Sequence, residues 1–380
     1  MTRLAYLLAL ALAALATAGC KEPDPPASPD APTAIDADVT IDAPTDAAPA
    51  DANPACMPAA TDYTPRVMMS ATDPYPACVS DADPSMYVVT NPSVSTIARI
   101  AAFEQIATLL FTPGAPDAQA FIDARIQYSL ANGLESRVGR REDEHYPAAP
   151  MVCNAVGFDP TPYPDRCVGP VRIAPLLAEA FTTGATDVDP LARRLAAARV
   201  EAGLLWFLYV SAYKESVTCQ ATPADCDSSW AYYGGGEHRA GGLGLARYVR
   251  GLETATHDRI FDGVLAVRCW RGLDDPAIAT DDAMFAALRT TALAQYDTAL
   301  VRGVAAIVRA RVVALAAATG ADAAVHWQFV RVLGPALARA AAAADPATAA
   351  GYAAELARTD PAAVDTAALI GALDTLFPCP

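Results

Sequence analysis

Two regions of this sequence place acidic side chains inside apolar segments, where a carboxylate needs a partner. Glu104 lies within the apolar residues 100–110, and Glu201 and Glu215 lie in the apolar core, residues 201–215, of a helix predicted over residues 191–216. A buried carboxylate is stable only beside a cation, a hydrogen-bond donor or a metal ion. Two such glutamates from separate helices predict an oxygen-rich site of the kind that iron or manganese prefers. The alternative is internal salt bridges with some of Arg99, Arg194, Arg199, Arg302 and Arg309.

Histidines near carboxylates supply a second group of candidate ligands. Glu142 and His145 have the i, i+3 spacing that ferritin-like di-iron bundles use in two copies; one copy occurs here, and the alternative is a solvated helix end. Glu237 and His238 lie in a glycine-rich segment whose backbone can approach a ligand closely. His257 follows Glu253 by four residues on a predicted helix. The predicted metal ligands are Glu104, Glu201, Glu142, His145, Glu215, Glu237, His238 and His257.

Several catalytic motifs are missing from the sequence. It contains no Gly-x-Ser-x-Gly and no His-Glu-x-x-His, the motifs of common serine hydrolases and zinc peptidases. No Cys-x-x-Cys occurs, which argues against a zinc ribbon or a thioredoxin-type site. We therefore expect no hydrolytic enzyme of these classes.

The first 55 residues predict a secretion signal, a lipid anchor and a tether. Residues 1–19 combine an early arginine with an apolar run and small residues, as a signal peptide does. Cys20 follows Ala-Gly, as the acylated cysteine of a bacterial lipoprotein does; the alternative is a plain cleaved signal and an odd free cysteine. Residues 20–55 are rich in Ala, Pro and Asp and are predicted to be disordered.

These features predict a protein of the cell envelope. The lipid on Cys20 would hold it at the outer membrane, on the periplasmic or the surface face, and no segment would cross the bilayer. The linker carries eight acidic residues against Lys21 alone, a net charge of −7 out of −16 for the whole chain. The remainder is still acidic, so nucleic acid is not an expected partner. A metal ion is the expected ligand, and the sequence indicates no particular protein partner.

Eight cysteines follow Cys20, and an even number in an exported protein predicts four disulfides. The short loops suggest the pairs Cys56–Cys78, Cys153–Cys167 and Cys219–Cys226, which leaves Cys269 and Cys379 for each other. The sequence alone does not determine this pairing.

The apolar spacing predicts an all-α protein: a multi-helix bundle of roughly eight to ten helices, stapled by disulfides, over residues 56–380. A helix is predicted over residues 191–216, and its core, residues 201–215, is apolar nearly all round, which is typical of a helix at the centre of a bundle. The other helices are predicted at residues 94–111, 117–141, 174–181, 242–251, 256–269, 281–319, 326–344, 346–359 and 362–376. Residues 217–236 are interpreted as a disulfide-closed turn and an aromatic, glycine-rich segment.

Three stretches in the middle of the chain resemble a known group of proteins. Residues 206–216, the loop 219–226 and residues 227–235 are similar to myxobacterial lipoproteins related to the iron-assimilating extracellular proteins of green algae. Residues 136–147 and 376–380 fit the same group. The resemblance implies an extracytoplasmic helical protein that binds iron or assists its uptake.

Three hypotheses for the function follow. The first is a lipid-anchored protein that binds iron for assimilation and performs no turnover. The second is a structural or partner-docking envelope lipoprotein without a metal, whose buried charges are internal salt bridges. The third is a helical oxidative metalloenzyme, in which the same carboxylates hold a redox metal.

Overall fold

A computed structural model describes residues 62, 87–89, 94–112, 114–270 and 283–378 of the chain. Within these residues the secondary structure is helical and contains no strand, which confirms the predicted all-α class. Thirteen α-helices lie in the described part, slightly more than predicted: α1 Ser95–Leu110, α2 Ala118–Ser129, α3 Glu135–Val138, α4 Ala174–Thr186, α5 Pro190–Thr218, α6 Pro223–Gly234, α7 Leu245–Leu252, α8 Thr254–Trp270, α9 Ala283–Ala317, α10 Gly320–Leu333, α11 Ala338–Ala344, α12 Pro346–Leu356 and α13 Thr366–Leu376.

Helix α5 is the centre of the bundle, as its composition predicts. It begins at Pro190, the favoured first position, and the side chain of Asp189 accepts a hydrogen bond from the backbone N–H of Leu191. Helices α4, α6, α9 and α10 pack around it. Among the described helices α5 alone is long and apolar enough to cross a membrane, but 89% of that apolar window is buried inside the protein. Its apolar surface therefore packs against protein.

The helix predicted over residues 117–141 is wrong as a single element. Helix α2 ends at Ser129, and the chain turns so that the N–H of Leu134 donates to the carbonyl of Tyr128 at 2.9 Å. A Cβ atom at Gly133 would lie 2.6 Å from the carbonyl oxygen of Gln127, so only glycine fits this approach. The single turn α3 follows, and residues 141–143 are not helical.

Two other predicted boundaries are also wrong. The helix predicted over residues 326–344 is divided by a 3₁₀ turn, Gly334–Leu337, because Pro335 has no N–H to continue an α-helix. Residues 223–234 form helix α6, although we interpreted them as non-helical. Its start and stop signals are Pro223 at the first position and Gly235, which ends it with a φ of 72°.

Two of the four suggested disulfides lie in the described residues, and both are confirmed. Cys153 pairs with Cys167 and Cys219 pairs with Cys226, with Cα–Cα distances of 5.4 and 4.9 Å. Cys56, Cys78, Cys379 and the side chain of Cys269 lie outside the described part. So do the predicted signal peptide 1–19, the lipidated Cys20 and the linker 20–55.

Candidate functional site

Glu104, Glu201 and Glu215, three of the glutamates predicted to hold a metal, are bound by basic side chains. The Glu201 carboxylate on α5 accepts from the Arg311 guanidinium at 2.5 Å and from the Tyr248 hydroxyl at 2.9 Å. Glu104 on α1 accepts from Arg247 at 2.9 Å and from the backbone N–H of Gly244, which precedes helix α7, at 2.7 Å. Both carboxylates therefore take part in internal salt bridges. Neither cation is among the five arginines predicted for this role.

Glu215 forms the most deeply buried of these ion pairs. Its carboxylate accepts from the Arg141 guanidinium at 2.8 Å and from Lys214 at 3.2 Å, and the Arg141 and Glu215 side chains are only 5% and 7% exposed. The Arg141 guanidinium also lies over the rings of Phe207 and Tyr232, 5.5 and 5.1 Å from their centroids. The charge of Glu215 is thus neutralised by groups that are themselves well packed.

His257 is a buried, hydrogen-bonded side chain on α8. Its Nε2 lies 2.7 Å from the carbonyl oxygen of Arg239, which can only accept, so Nε2 carries the proton. Its Nδ1 therefore accepts from the Tyr233 hydroxyl at 2.8 Å. Burial lowers the pKa of His257, in keeping with a neutral ring. Glu253 does not join it, because its carboxylate accepts from Arg302 at 2.6 Å.

Glu237 and His238 lie on an exposed turn between α6 and α7. The N–H of Gly241 donates to the carbonyl of His238 at 2.9 Å, which closes this turn. Glu201 and Glu215, in contrast, are buried on α5.

The eight predicted ligands therefore do not converge on one point. In the described residues, no three His, Cys, Asp or Glu side chains come together so as to hold a metal ion. The residues present do not fit a di-iron or mononuclear iron site built from bare carboxylates, because Glu104, Glu201 and Glu215 are each already paired with an arginine. The metal ligands stay a prediction, and they do not form one site in the described residues.

Glu142 and His145 lie on a loop instead of the predicted helix end, and Arg166 holds that loop in shape. The Arg166 guanidinium donates to the carboxylates of Glu142 and Glu144, each at 2.8 Å, and to the carbonyls of Asp143 and Tyr146 at 3.2 Å. Glu142 and His145 consequently have different partners.

His145 is the centre of a buried chain of charges. Its Nδ1 lies 2.5 Å from Asp143 and its Nε2 lies 2.8 Å from Asp297 on α9. Asp297 also accepts from Arg339 on α11 at 3.1 Å. The ring stacks on Tyr213 of α5, with the centroids 3.8 Å apart. Because both ring nitrogens face carboxylates on opposite edges, the arrangement suits a doubly protonated imidazolium and leaves no nitrogen for a metal.

The electrostatics agree with this assignment. Burial opposes a charge on His145, but the hydrogen bonds and charges of Asp143 and Asp297 outweigh it and raise its pKa above the ordinary value of 6.5. Burial likewise opposes the charge on Asp297, and its contacts with His145 and Arg339 outweigh this and lower its pKa below 3.8. The loop, α9 and α11 are therefore joined by charge-assisted hydrogen bonds.

A cavity of about 310 Å³ lies beside this network. Its wall carries charges of both signs together with large aromatic side chains. The lining residues are Asp143, Tyr146, Asp165, Val168, Arg172, Trp206, Pro335, Ala336, Ala338 and Arg339. The volume is at the lower end of the range for small-molecule sites. This cavity and the His145 loop form the candidate site.

Sequence reasoning identified only His145 of the main residues here. Arg166, Asp297 and Arg339 were missed, although Arg339 is the only charged residue among the eleven positions 334–344. The signal for Arg339 is a lone charge in an alanine-rich helix, and the signal for Asp297 is that it is the only acidic residue of the long apolar helix α9.

The chain matches no protein-family model, no curated protein and no solved structure. The resemblance of residues 206–235 to iron-assimilation lipoproteins stays a prediction.

The His145 network predicts a specific pH dependence of stability. Because the pKa of His145 is raised, the contribution of His145 to the free energy of unfolding is complete below about pH 6.5. It is lost as the pH rises through the pKa of His145 in the folded protein. The lowered pKa of Asp297 gives the opposite pH dependence. The contribution of Asp297 to the free energy of unfolding is present above about pH 3.8 and is lost as the pH falls through the pKa of Asp297 in the folded protein. Urea denaturation between pH 5 and 9 should show wild-type stability falling on the alkaline side.

His145→Gln is the matched test of this dependence. The variant should lose about 2 kcal/mol near pH 6, where the charged hydrogen bonds are complete, and its alkaline decline should be shallower. Parallel pH profiles for wild type and variant would show that His145 is not the titrating group.

Proposed function

We propose that this protein is a lipid-anchored, extracytoplasmic binding protein that performs no turnover, and that its ligand occupies the cavity beside the His145 loop. The observation that carries the proposal is the cavity itself, whose wall is fixed by the buried chain Asp143–His145–Asp297–Arg339. The side chains of a wall that is already ordered lose little conformational entropy when a ligand binds.

The absence of turnover is supported by the state of the titratable groups. In the described part, the buried candidates Glu104, Glu201, Glu215 and His257 are all held by hydrogen bonds or ion pairs within the protein. A general base must be free to reach a substrate proton. These groups serve to hold helices together.

The chemistry of the cavity indicates the class of ligand. Asp143 and Asp165 contribute negative charges, Arg172 and Arg339 contribute positive charges, and Trp206 contributes an aromatic face. A bare cation or a bare anion would meet a like charge on this wall. A small polar or zwitterionic molecule could pair with both signs.

A thermal-shift titration tests this proposal. We expect at least one of the common L-amino acids, used as zwitterionic probes, to raise the unfolding midpoint. Each kcal/mol by which the bound ligand stabilises the folded protein should raise the midpoint by about 2–4 °C. Ala336→Trp, which fills the cavity, should abolish the shift. Ala342→Trp, on the exposed side of α11, should retain it. If no member shifts the midpoint, or if both variants behave alike, the cavity is not the binding site.

Iron as the bound species can be tested separately. Glu104, Glu201 and Glu215 would each have to release an arginine before binding a metal. Calorimetric titration of the intact protein with ferrous iron, ferric iron, zinc and calcium should therefore show no tight site. Saturable iron binding that is lost in Glu201→Ala would instead favour the metal hypothesis implied by the resemblance.

A further inference from the structure

A second cavity, of about 290 Å³, is lined by helices α4, α5 and α10, and we name it the three-helix cavity. It shares no lining residue with the cavity beside His145. Its volume is close to the lower limit of the range for small-molecule sites. The lining residues are Leu176 and Glu179 on α4, Arg199 on α5, and Gln328, Arg331 and Val332 on α10.

The spacing of the lining residues fits single faces of two helices. Leu176 and Glu179 are three residues apart on α4, so both lie on one face of that helix. Gln328, Arg331 and Val332 have the i, i+3, i+4 spacing of one face of α10. Both helices pack against the central helix α5. The frame of the cavity is therefore formed by helices and not by loops.

Part of the cavity wall is apolar. The Leu176 side chain lies against α5 at Gly203, where an added Cβ atom would be only 3.0 Å from it. Leu176 is nevertheless only half-buried, whereas Val332, the other apolar lining residue, is 5% exposed. The half-exposed leucine surface is one that the apolar part of a ligand can remove from water.

The polar part of the cavity has more cations than anions. The Arg199 guanidinium donates to the Glu179 carboxylate at 2.9 Å, so these two charges neutralise each other. Within the described part of the chain, the side chains of Gln328 and Arg331 take part in no ion pair or hydrogen bond. The cavity therefore has one uncompensated positive charge and an amide that is available to a ligand.

A carboxylate with a short aliphatic chain has the chemistry that this cavity recognises. The guanidinium fork of Arg331 matches the two oxygens of a carboxylate, and the Gln328 amide supplies a further N–H donor. Leu176 and Val332 supply apolar contacts for the chain. We propose that the three-helix cavity is a binding site for an aliphatic carboxylate, and that Arg331 binds its carboxylate group. This site does not depend on the proposed function.

Acetate, butyrate, hexanoate and hexylammonium are the probes that test the site. They are titrated by calorimetry into the chain after the predicted signal peptide, with Cys20→Ser so that no lipid is attached. Each methylene group that is buried strengthens binding about fourfold, so affinity should rise from acetate to hexanoate. Hexylammonium has the same chain and the opposite charge, and it should not bind. Absence of saturable hexanoate binding, or equal binding of hexylammonium, would overturn the proposal.

Arg331→Gln should weaken hexanoate binding at least roughly tenfold, because it removes the charge-assisted hydrogen bonds to the carboxylate. Arg331 is exposed, so the variant should fold with the unfolding midpoint of the wild type. Arg250→Gln removes the same charge outside the cavity and should bind hexanoate as the wild type does. Equal weakening in the two variants would contradict the assignment to Arg331.

Two further variants locate the aliphatic chain. In Leu176→Ala, the gain in affinity from butyrate to hexanoate should be smaller, because the ligand buries less apolar surface; an unchanged gain would contradict the apolar contact. Urea denaturation verifies that this variant is folded. Ala336→Trp fills the cavity beside His145 and should leave hexanoate binding unchanged. Loss of binding in Ala336→Trp but not in Arg331→Gln would place hexanoate in that other cavity and overturn the proposal.

Discussion

Arg141→Met is expected to lower the free energy of unfolding by about 3–5 kcal/mol, because it leaves a buried carboxylate without its main partner. Glu215 is 7% exposed, and after the substitution only Lys214, at 3.2 Å, would remain beside it. Methionine fills much of the space against Phe207 and Tyr232, so the loss reports on charge more than on volume. Urea denaturation with the disulfides intact measures this difference.

Two further variants make the result interpretable. Arg358→Met removes a pair with Glu355 in which the arginine is 51% exposed, and it should leave the free energy of unfolding nearly unchanged. Arg141→Met/Glu215→Met removes both charges and should recover most of the loss. If the double variant were as unstable as Arg141→Met alone, the buried carboxylate would not be the cause.

Arg166→Lys should have the second large effect, a loss of roughly 2–4 kcal/mol, even though it keeps the positive charge. The Arg166 fork spans the Glu142 and Glu144 carboxylates, and it also donates to two backbone carbonyls of the loop. A lysine ammonium is a point charge and cannot reproduce these bonds together. Denaturation measures the stability, and NMR titration of His145 measures the state of the loop.

The two readouts distinguish a local from a global effect. If the loop loosens, Asp143 no longer faces His145, and the pKa of His145 should move back toward its ordinary value. Arg172→Lys is the neighbouring control, because the Arg172–Asp165 pair is more than one-third exposed on both sides and should contribute less than about 1 kcal/mol. A wild-type titration curve in Arg166→Lys would contradict the positioning role of Arg166.

The second of the three functional hypotheses gains the most from the geometry. That hypothesis requires the acidic side chains to form internal salt bridges. Glu104, Glu201 and Glu215 do so, with Arg247, Arg311 and Arg141 respectively. The iron hypothesis keeps its support from the resemblance but loses the vacant carboxylates on which its site depended. The cavity beside His145 is the binding site that we propose in their place.

The features of this protein that follow from its sequence are local ones. Apolar spacing identified nearly all the helices, and the continuous apolar run of α5 identified the bundle centre, because helix formation and burial of a face are encoded in neighbouring residues. The pairs Cys153–Cys167 and Cys219–Cys226 were predictable because short loops hold the cysteines close together. The need of Glu201 for a partner was predictable from its apolar surroundings.

The tertiary structure alone decided which partners meet. Arg311 is separated from Glu201 by 110 residues, and Asp297 from His145 by 152. Such pairs depend on how helices dock and rotate against one another, which local periodicity does not specify. Glu142 and His145, which were predicted to lie on one face of a helix, lie on a loop. Because of the same docking, they belong to two different hydrogen-bond networks. The candidate site is therefore a consequence of long-range packing, since its charges come from segments that meet only when the bundle is assembled.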